Sequence, residues 1–428
     1  MEIRITQQAK RLRGGVRPPG DKSISHRALL LGGIAQGTSR IQGFLRAGVT
    51  DAMLGCLETL GVDAEFMDDD DLVIVGRPWQ TPGETLDCQN SGATIRMLLG
   101  ALAAQPIEAT LDGTPRLRSR PMGRVVEPLR MMGADIQGAD DQPPLKVRGG
   151  KLHGIDYELP VASAQVKTAI LLAALFADGP TTIHEPGPSR DHTERMLRCL
   201  GIAVNASNGT AELIPEPGPL SAFSLLIPAD ISSAAFLIAA AALVPGSKLE
   251  LPGVGINPTR TGLLEVLQEM GARIEIENEH QSGAEPIADL EIRGSELRGV
   301  RISGERVVRM IDEFPIFAVA ATQAKGETIV SDAAELRLKE SDRIASLVGE
   351  LQKMGARIEA KADGFVVEGP TRLQGADVES HKDHRLAMAL TIAGLIAEGT
   401  TVVHGAECIQ QSYPDFISNL TSCGAELA

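Results

Sequence analysis

Aromatic side chains are scarce in this chain of 428 residues: one Trp, two Tyr and nine Phe make up 3%. The core must therefore come from Ala, Leu, Ile, Val and Met. The same scarcity removes the stacking faces on which single-stranded nucleic acid is bound. Cysteine is sparse and scattered: Cys56, Cys88, Cys199, Cys408 and Cys423 form no CxxC pair and are odd in number. That pattern excludes a disulfide framework and a zinc ribbon, and fits free thiols in a reducing compartment. Basic charge is in deficit, with 41 Lys and Arg against 56 Asp and Glu, a formal net charge of −15. DNA, RNA and anionic membranes are disfavoured as partners, although a cleft on an acidic protein can still be locally basic. The longest apolar run, around Ala234 to Val244, is too short to span a bilayer, and MEIRITQQAKRLRGG has no signal-peptide core. A cytoplasmic protein is expected. No GxxxxGK[ST], strand-linked GxGxxG, HExxH, Cys/His cluster or GxSxG elbow occurs, so neither a nucleotide, a zinc ion nor a serine nucleophile is signalled.

What the chain has in quantity is repetition. An amphipathic helix, a Gly and a short strand recur as CLETLGVDAE (56–65), LRMMGADIQ (129–137), MLRCLGIAVN (196–205), VLQEMGARIE (266–275), ELQKMGARIE (350–359) and NLTSCGAELA (419–428). Gly61, Gly133, Gly201, Gly271, Gly355 and Gly424 each stand where a helix end needs a left-handed residue. Between these copies lie six more apolar helices, each followed by a Gly turn and a β-rich strand, beginning near Ile24, Gly92, Ser163, Ile231, Ile311 and Asp383. A helix apolar nearly all round must be buried, and its amphipathic partner covers the outside. Six units with a break near Pro228 predict two α/β domains of three units each. Residues 2–7 read as a short strand that could join either domain. A solenoid of α/β repeats is the simpler alternative, and the irregular spacing of the copies argues against it.

The starts of the apolar helices are unusually polar, and they differ from copy to copy: Asp21, Lys22, Ser23, His26 and Arg27; Asn90, Ser91 and Arg96; Ser163, Gln165 and Lys167; Asp230, Ser232 and Ser233; Asp312 and Glu313; Asp383, His384 and Arg385. Free N–H groups and a partial positive charge make helix starts good anion sites. Ordinary N-capping accounts for Ser163, Asp230, Ser232 and Asp383 taken singly. It does not account for Lys22, Arg27, Arg96 or Arg385, because a cation there opposes the helix dipole and calls for a compensating anion. Two further basic clusters are DGTPRLRSRPMG (112–123), with Arg116, Arg118 and Arg120, and LRLKESDR (336–343), where Arg337, Lys339 and Arg343 could surround Glu340. Each alone reads as a solvated charged face. Together they suggest a substrate with several anionic groups, which bidentate Arg recognises well.

These segments resemble the 5-enolpyruvylshikimate-3-phosphate synthase family along essentially the whole chain. The motifs are PPGDKSISHRALLLG (18–32), NSGATIRMLLG (90–100), GTPRLRSRPMG (113–123), PVASAQVKTAILLA (160–173), SRDHTERML (189–197), IDEFP (311–315), LKESDR (338–343) and DHRLAMAL (383–390), in the family's order. The resemblance implies the enolpyruvyl transferase fold, an inside-out α/β barrel of two domains, each with three βαβαββ repeats. It places one domain at 18–227, with most shikimate 3-phosphate contacts, and the other at 1–17 plus 228–428, with the catalytic Asp, Lys and Glu. The implied reaction moves the enolpyruvyl group of phosphoenolpyruvate to the 5-hydroxyl of shikimate 3-phosphate and releases phosphate.

By that resemblance Lys22 contacts both substrates. Ser23, Arg27, Ser163, Ala164, Gln165, Arg190, Asp312 and Lys339 hold shikimate 3-phosphate. Lys22, Gly92, Arg120, Gln165, Arg343 and Arg385 hold phosphoenolpyruvate. Asp312 is the implied proton acceptor, Glu340 the implied shuttle at the methylene carbon, and Lys22 and Lys339 complete the catalytic set. No metal or organic cofactor is implied. Glyphosate, an inhibitor that occupies the family's phosphoenolpyruvate site, is an implied ligand, and a monomer is expected. The chain departs from the family at Ala164, where many members have a second Ser, at Ala93, where Thr is common, and at Gln411, where some place a Lys. Two other readings stay open. UDP-N-acetylglucosamine enolpyruvyl transferases share the fold and donor, but have a KN motif near the N-terminus and a Cys in the loop matching 112–122, where this chain has none. A non-catalytic anion-binding protein would need the arginines, but not Asp312, Lys339 and Glu340 together.

Overall fold

The computed structural model of the protein describes residues 1–207, 209–216 and 218–427. Six helices are buried almost all round, as their all-apolar faces require: Lys22–Ile34, Gly92–Ala103, Ala164–Ala174, Ile231–Leu243, Phe314–Gln323 and His384–Ile396. Six amphipathic helices cover them: Gly48–Thr59, Gly123–Met131, His192–Cys199, Gly262–Glu269, Arg343–Lys353 and Phe416–Ser422. Each amphipathic helix runs into its glycine, and Gly61, Gly133, Gly201, Gly271, Gly355 and Gly424 have φ of 88°, 105°, 82°, 103°, 82° and 98°. The reversed turn closes with bonds such as Gly61 N to Glu58 O (2.9 Å) and Val62 N to Leu57 O (3.0 Å), which satisfy the last carbonyls of the helix.

Among the described residues the strands form five four-stranded sheets and one three-stranded sheet. The sheet built on Glu108–Asp112 shows the plan: Leu86–Asp87 lies parallel to it, Leu145–Arg148 antiparallel, and Asp135–Gln137 antiparallel to that. Distant segments fill the parallel place in two sheets. Ser224–Leu226 pairs with Arg40–Gln42, and Arg13–Gly15 pairs with Lys248–Glu250. The sixth copy departs from the expectation of helix, Gly and strand, because residues 425–427 form no strand. Its three-stranded sheet is completed by Ile3–Ile5, antiparallel to Thr401–Val403. The N-terminal strand is thus shorter than the predicted 2–7.

The chain divides into two compact units, Gly20–Ile227 with Gln281–Glu285, and Met1–Pro19 with Pro228–His280 and Pro286–Ala428. Each has its own hydrophobic core, formed where its three buried helices meet the inner faces of its sheets. Among the described residues no helix is long and apolar enough to cross a membrane.

Candidate active site

In the 20–227 unit the three buried helices begin at side chains that cap them. Asp21 accepts from Ile24 N, Ser91 from Thr94 N and Ser163 from Val166 N. The polar residues of these starts meet one another. Arg27 is buried and donates to Thr193 Oγ1 and Thr168 Oγ1 (2.7 Å each), to Ser23 O (2.9 Å) and to Ala164 O (3.4 Å). Burial pulls its pKa down to about 10, and the charges of Glu194 and Asp21 oppose that shift. Arg190 donates to Ser23 Oγ (3.3 Å). Lys22 and Ser23, half-buried, open the first helix beside them.

A second group forms over the start of Gly92–Ala103. A Cβ on Gly92 would stand 2.7 Å from Arg120 Nη1 and 3.0 Å from Arg96 Nη1, so glycine is what lets both guanidiniums approach this helix end. Arg96 also donates to Gln165 Oε1 (2.7 Å), which joins the second and third helix starts. Two cations at a positive helix terminus constitute an anion-attracting arrangement. Arg118, from the same basic segment as Arg120, pairs instead with Asp112.

In the other unit, buried Arg343 is the hub. It donates to Asp383 Oδ2 (2.8 Å), Glu340 Oε2 (2.7 Å) and Asp312 Oδ1 (3.3 Å). Asp383 caps its own helix through Arg385 N (3.0 Å) and accepts from Ser341 Oγ (3.0 Å). Burial works against ionisation of Asp383, but Arg343 prevails and holds its pKa below the usual range. Arg385 reaches Asp312 through its backbone O (3.2 Å) and carboxylate (3.4 Å), and lies 3.9 Å from Glu313. Lys339 is half-buried; burial pulls its pKa down against the attraction of Asp312, and Arg343 adds to the lowering. Asp312, Lys339, Glu340, Arg343 and Arg385 thus form one charged cluster.

Two expectations need correction. Arg337 does not surround Glu340: it donates to Asp342 Oδ2 and to the carbonyls of Lys361 and Ala362, because its side chain turns toward the neighbouring hairpin. Ser232 is not a cap. Asp230 caps that helix, while Ser232 Oγ donates to Glu313 and accepts from Arg260 (2.7 Å). Several partners escaped the sequence reading as site residues: Thr168 and Thr193 behind Arg27, Arg96 beside Gly92, and Asp383 behind Arg343. Only Arg96 carried a signal, as a cation in a helix's first turns. Gln411 ends a short turn of 3-10 helix, Ala406–Gln411. Among the described residues no group of three or more His, Cys, Asp or Glu could hold a metal ion.

An α/β chain of repeated units with cations and carboxylates gathered at its helix starts is of the enolpyruvyl transferase class, as a solved relative makes plain: EPSP synthase from Acinetobacter baumannii superposes with a TM-score of 0.90 at 41% identity, covering 100% of this chain and 99% of that one. The sequence profile of the family EPSP synthase (3-phosphoshikimate 1-carboxyvinyltransferase) matches residues 6–420. The 3-phosphoshikimate 1-carboxyvinyltransferase of Thermodesulfovibrio yellowstonii is 48% identical over 423 residues, 97% of this chain and 98% of the relative. That of Herpetosiphon aurantiacus is 49% identical over 415 residues, 95% and 96% of the two lengths. The chain belongs to the EPSP synthase family.

Proposed function

We propose that this chain transfers the enolpyruvyl group of phosphoenolpyruvate to the 5-hydroxyl of shikimate 3-phosphate, with release of phosphate, on the way to aromatic amino acids. The observation that carries the reading is the clustering of Asp312, Lys339 and Glu340 around Arg343 and Arg385. A protein that merely bound anions would need the arginines, but not Asp312, Lys339 and Glu340 together. In the 20–227 unit, Ser23, Arg27, Ser163, Ala164, Gln165 and Arg190 hold the carboxylate, ring and 3-phosphate of the acceptor. Lys22 and Gln165 touch both substrates. Arg120 and the N–H groups at Gly92 grip phosphoenolpyruvate; in the other unit Arg343 and Arg385 do so, while Asp312 and Lys339 meet the acceptor's hydroxyls.

The chemistry needs a base at the 5-hydroxyl and an acid at the methylene carbon. Asp312 takes the hydroxyl proton and Glu340 delivers one to the methylene, giving a tetrahedral ketal phosphate. Loss of phosphate then returns the methyl proton to Glu340, and the hydroxyl proton held by Asp312 leaves with the phosphate. Guanidinium and ammonium groups bear the charge of the departing phosphate, so orientation and electrostatics supply most of the rate. Glyphosate as an occupant of the phosphoenolpyruvate site, a monomeric state and a cytoplasmic location belong to the same reading. Glycine at position 92 admits the Arg120 guanidinium to the helix start, each unit has its own core, and all five cysteines are free thiols.

The test is phosphate release from purified protein given phosphoenolpyruvate, with and without shikimate 3-phosphate. Release that needs both substrates is expected. Release with UDP-N-acetylglucosamine in place of shikimate 3-phosphate, or with neither acceptor, would overturn the assignment.

A further inference from the structure

The buried helix Ala164–Ala174 is apolar except at one internal pair. Thr168 serves Arg27, but the ammonium of its neighbour Lys167 pairs with Glu185 and Glu194, neither of them assigned to substrate. Lys167 is 1% exposed. Its Nζ lies 2.6 Å from Glu194 Oε1 and 2.7 Å from Glu185 Oε2, both of them also buried. A buried cluster of this kind is weak support for stability, since apolar residues of equal volume commonly do as well. Two carboxylates to one ammonium are worse still as a stabilising device, because one negative charge is left over.

The cluster's other contacts give it a use. Glu185 also accepts from Ser189 Oγ, and Ser189 immediately precedes Arg190. Glu194 lies next to Thr193, which accepts from Arg27 Nε (2.7 Å) and shares a hydrogen bond with Thr168 (2.6 Å). Lys167 and Thr168 together therefore fasten segment 185–194 to the helix at both ends, with Arg190 between the fastenings. Glu194 is the foremost charge sustaining the cationic form of Arg27 against burial.

We propose that Lys167, with Glu185 and Glu194, is a positioning group that sets Arg190 and Arg27 for the anionic groups of the acceptor. The proposal rests on the assignment of those arginines to shikimate 3-phosphate made above. Lys167 acts through the arginines and meets no substrate atom.

The experiment measures shikimate 3-phosphate binding by calorimetry, and KM for phosphoenolpyruvate, in wild type, Arg190→Ala, Lys167→Met and Ser189→Ala. Ser189→Ala cuts the link to Arg190 without stranding a buried charge, so it decides the matter should Lys167→Met fail to fold. Arg190→Ala tests the underlying assignment: unchanged acceptor affinity there removes that assignment and the proposal with it. If Arg190→Ala does weaken the acceptor, folded Lys167→Met should weaken it about 10-fold and Ser189→Ala about 3-fold, with the phosphoenolpyruvate KM within about twofold of wild type. Folded variants that bind shikimate 3-phosphate within about twofold of wild type, or that lose both substrates equally, overturn the positioning role.

Discussion

At the scale of the residue, the site holds its carboxylates against its cations. Asp312 and Glu340 both contact Arg343. Asp312→Asn keeps the shape and removes the base, so shikimate 3-phosphate binding should survive while phosphate release falls at least about 100-fold; near-normal release would exclude Asp312 as the base. His26 gives a second prediction. Its two ring nitrogens face the carbonyls of Lys22 (2.8 Å) and Val49 (3.1 Å), yet burial lowers its pKa from 6.5 to about 4. Below pH 6.5 the unfolded chain takes up a proton that the native state refuses until about pH 4. Stability conferred above that range is lost as pH falls, by about 2 kcal/mol at pH 5. His26→Gln keeps a donor and an acceptor without the proton, so its urea midpoint should fall less between pH 7 and pH 5 than that of wild type. An identical fall would acquit His26. Lys22, Arg27, Arg96 and Arg385 stood out in the sequence because cations oppose a helix start. Thr168, Thr193 and Asp383 did not, since a Thr in a helix or an Asp before one is ordinary and only the fold shows whose guanidinium it holds.

The elements were the most legible level. Apolar periodicity and the recurrent glycine marked both helices of every copy, because burial on all sides and a left-handed helix end each leave a composition that a single sequence displays. The partners of edge strands were not legible. Ser224–Leu226 beside Arg40–Gln42 joins segments far apart in the chain, and a three-residue strand has too few side chains to declare its neighbour. The close approach of two buried helices was equally hidden, and it carries a prediction. A Cβ on Gly100 would meet Ala169 O at 2.2 Å and Ala169 Cα at 2.5 Å, backbone that cannot rotate away. Gly100→Ala must separate Gly92–Ala103 from Ala164–Ala174 and should cost about 3 kcal/mol or more, despite the better helix propensity of alanine. Gly55→Ala is the contrast. It lies on the exposed face of Gly48–Thr59 with nothing within 4 Å of its Cβ, so it should stabilise by about 0.5–1 kcal/mol. Thermal unfolding of the two variants should move in opposite directions; a shared direction would mean that propensity outweighs the contact.

On the scale of the molecule, six copies implied two domains, but the repeats alone could not say where the N-terminal strand would go, and only the family resemblance assigned it to the second. Ile3–Ile5 belongs to the sheet of the last copy, with Ile3 opposite Val403 and Ile5 opposite Thr401, and Ile3 and Ile5 are buried at 4% and 0% exposure. Deleting residues 1–7 would bare the edge of Thr401–His404 and expose the apolar surface that Ile3 and Ile5 cover. Each fully buried Ile contributes about 1.5–3 kcal/mol, and lost strand pairing adds to that. The damage should be confined to the core that holds these residues. The single Trp allows this to be read directly, because Trp79 lies in the other core, 6% exposed, with its Nε1 donating to Gly33 O (2.9 Å). In the truncated protein, far-ultraviolet circular dichroism should gain an early unfolding phase at lower urea, while the Trp79 fluorescence transition stays at its wild-type midpoint. Should both signals move together by the same amount, the two cores would unfold as one cooperative body, and the N-terminal strand would be stabilising the whole molecule rather than the unit whose sheet it completes.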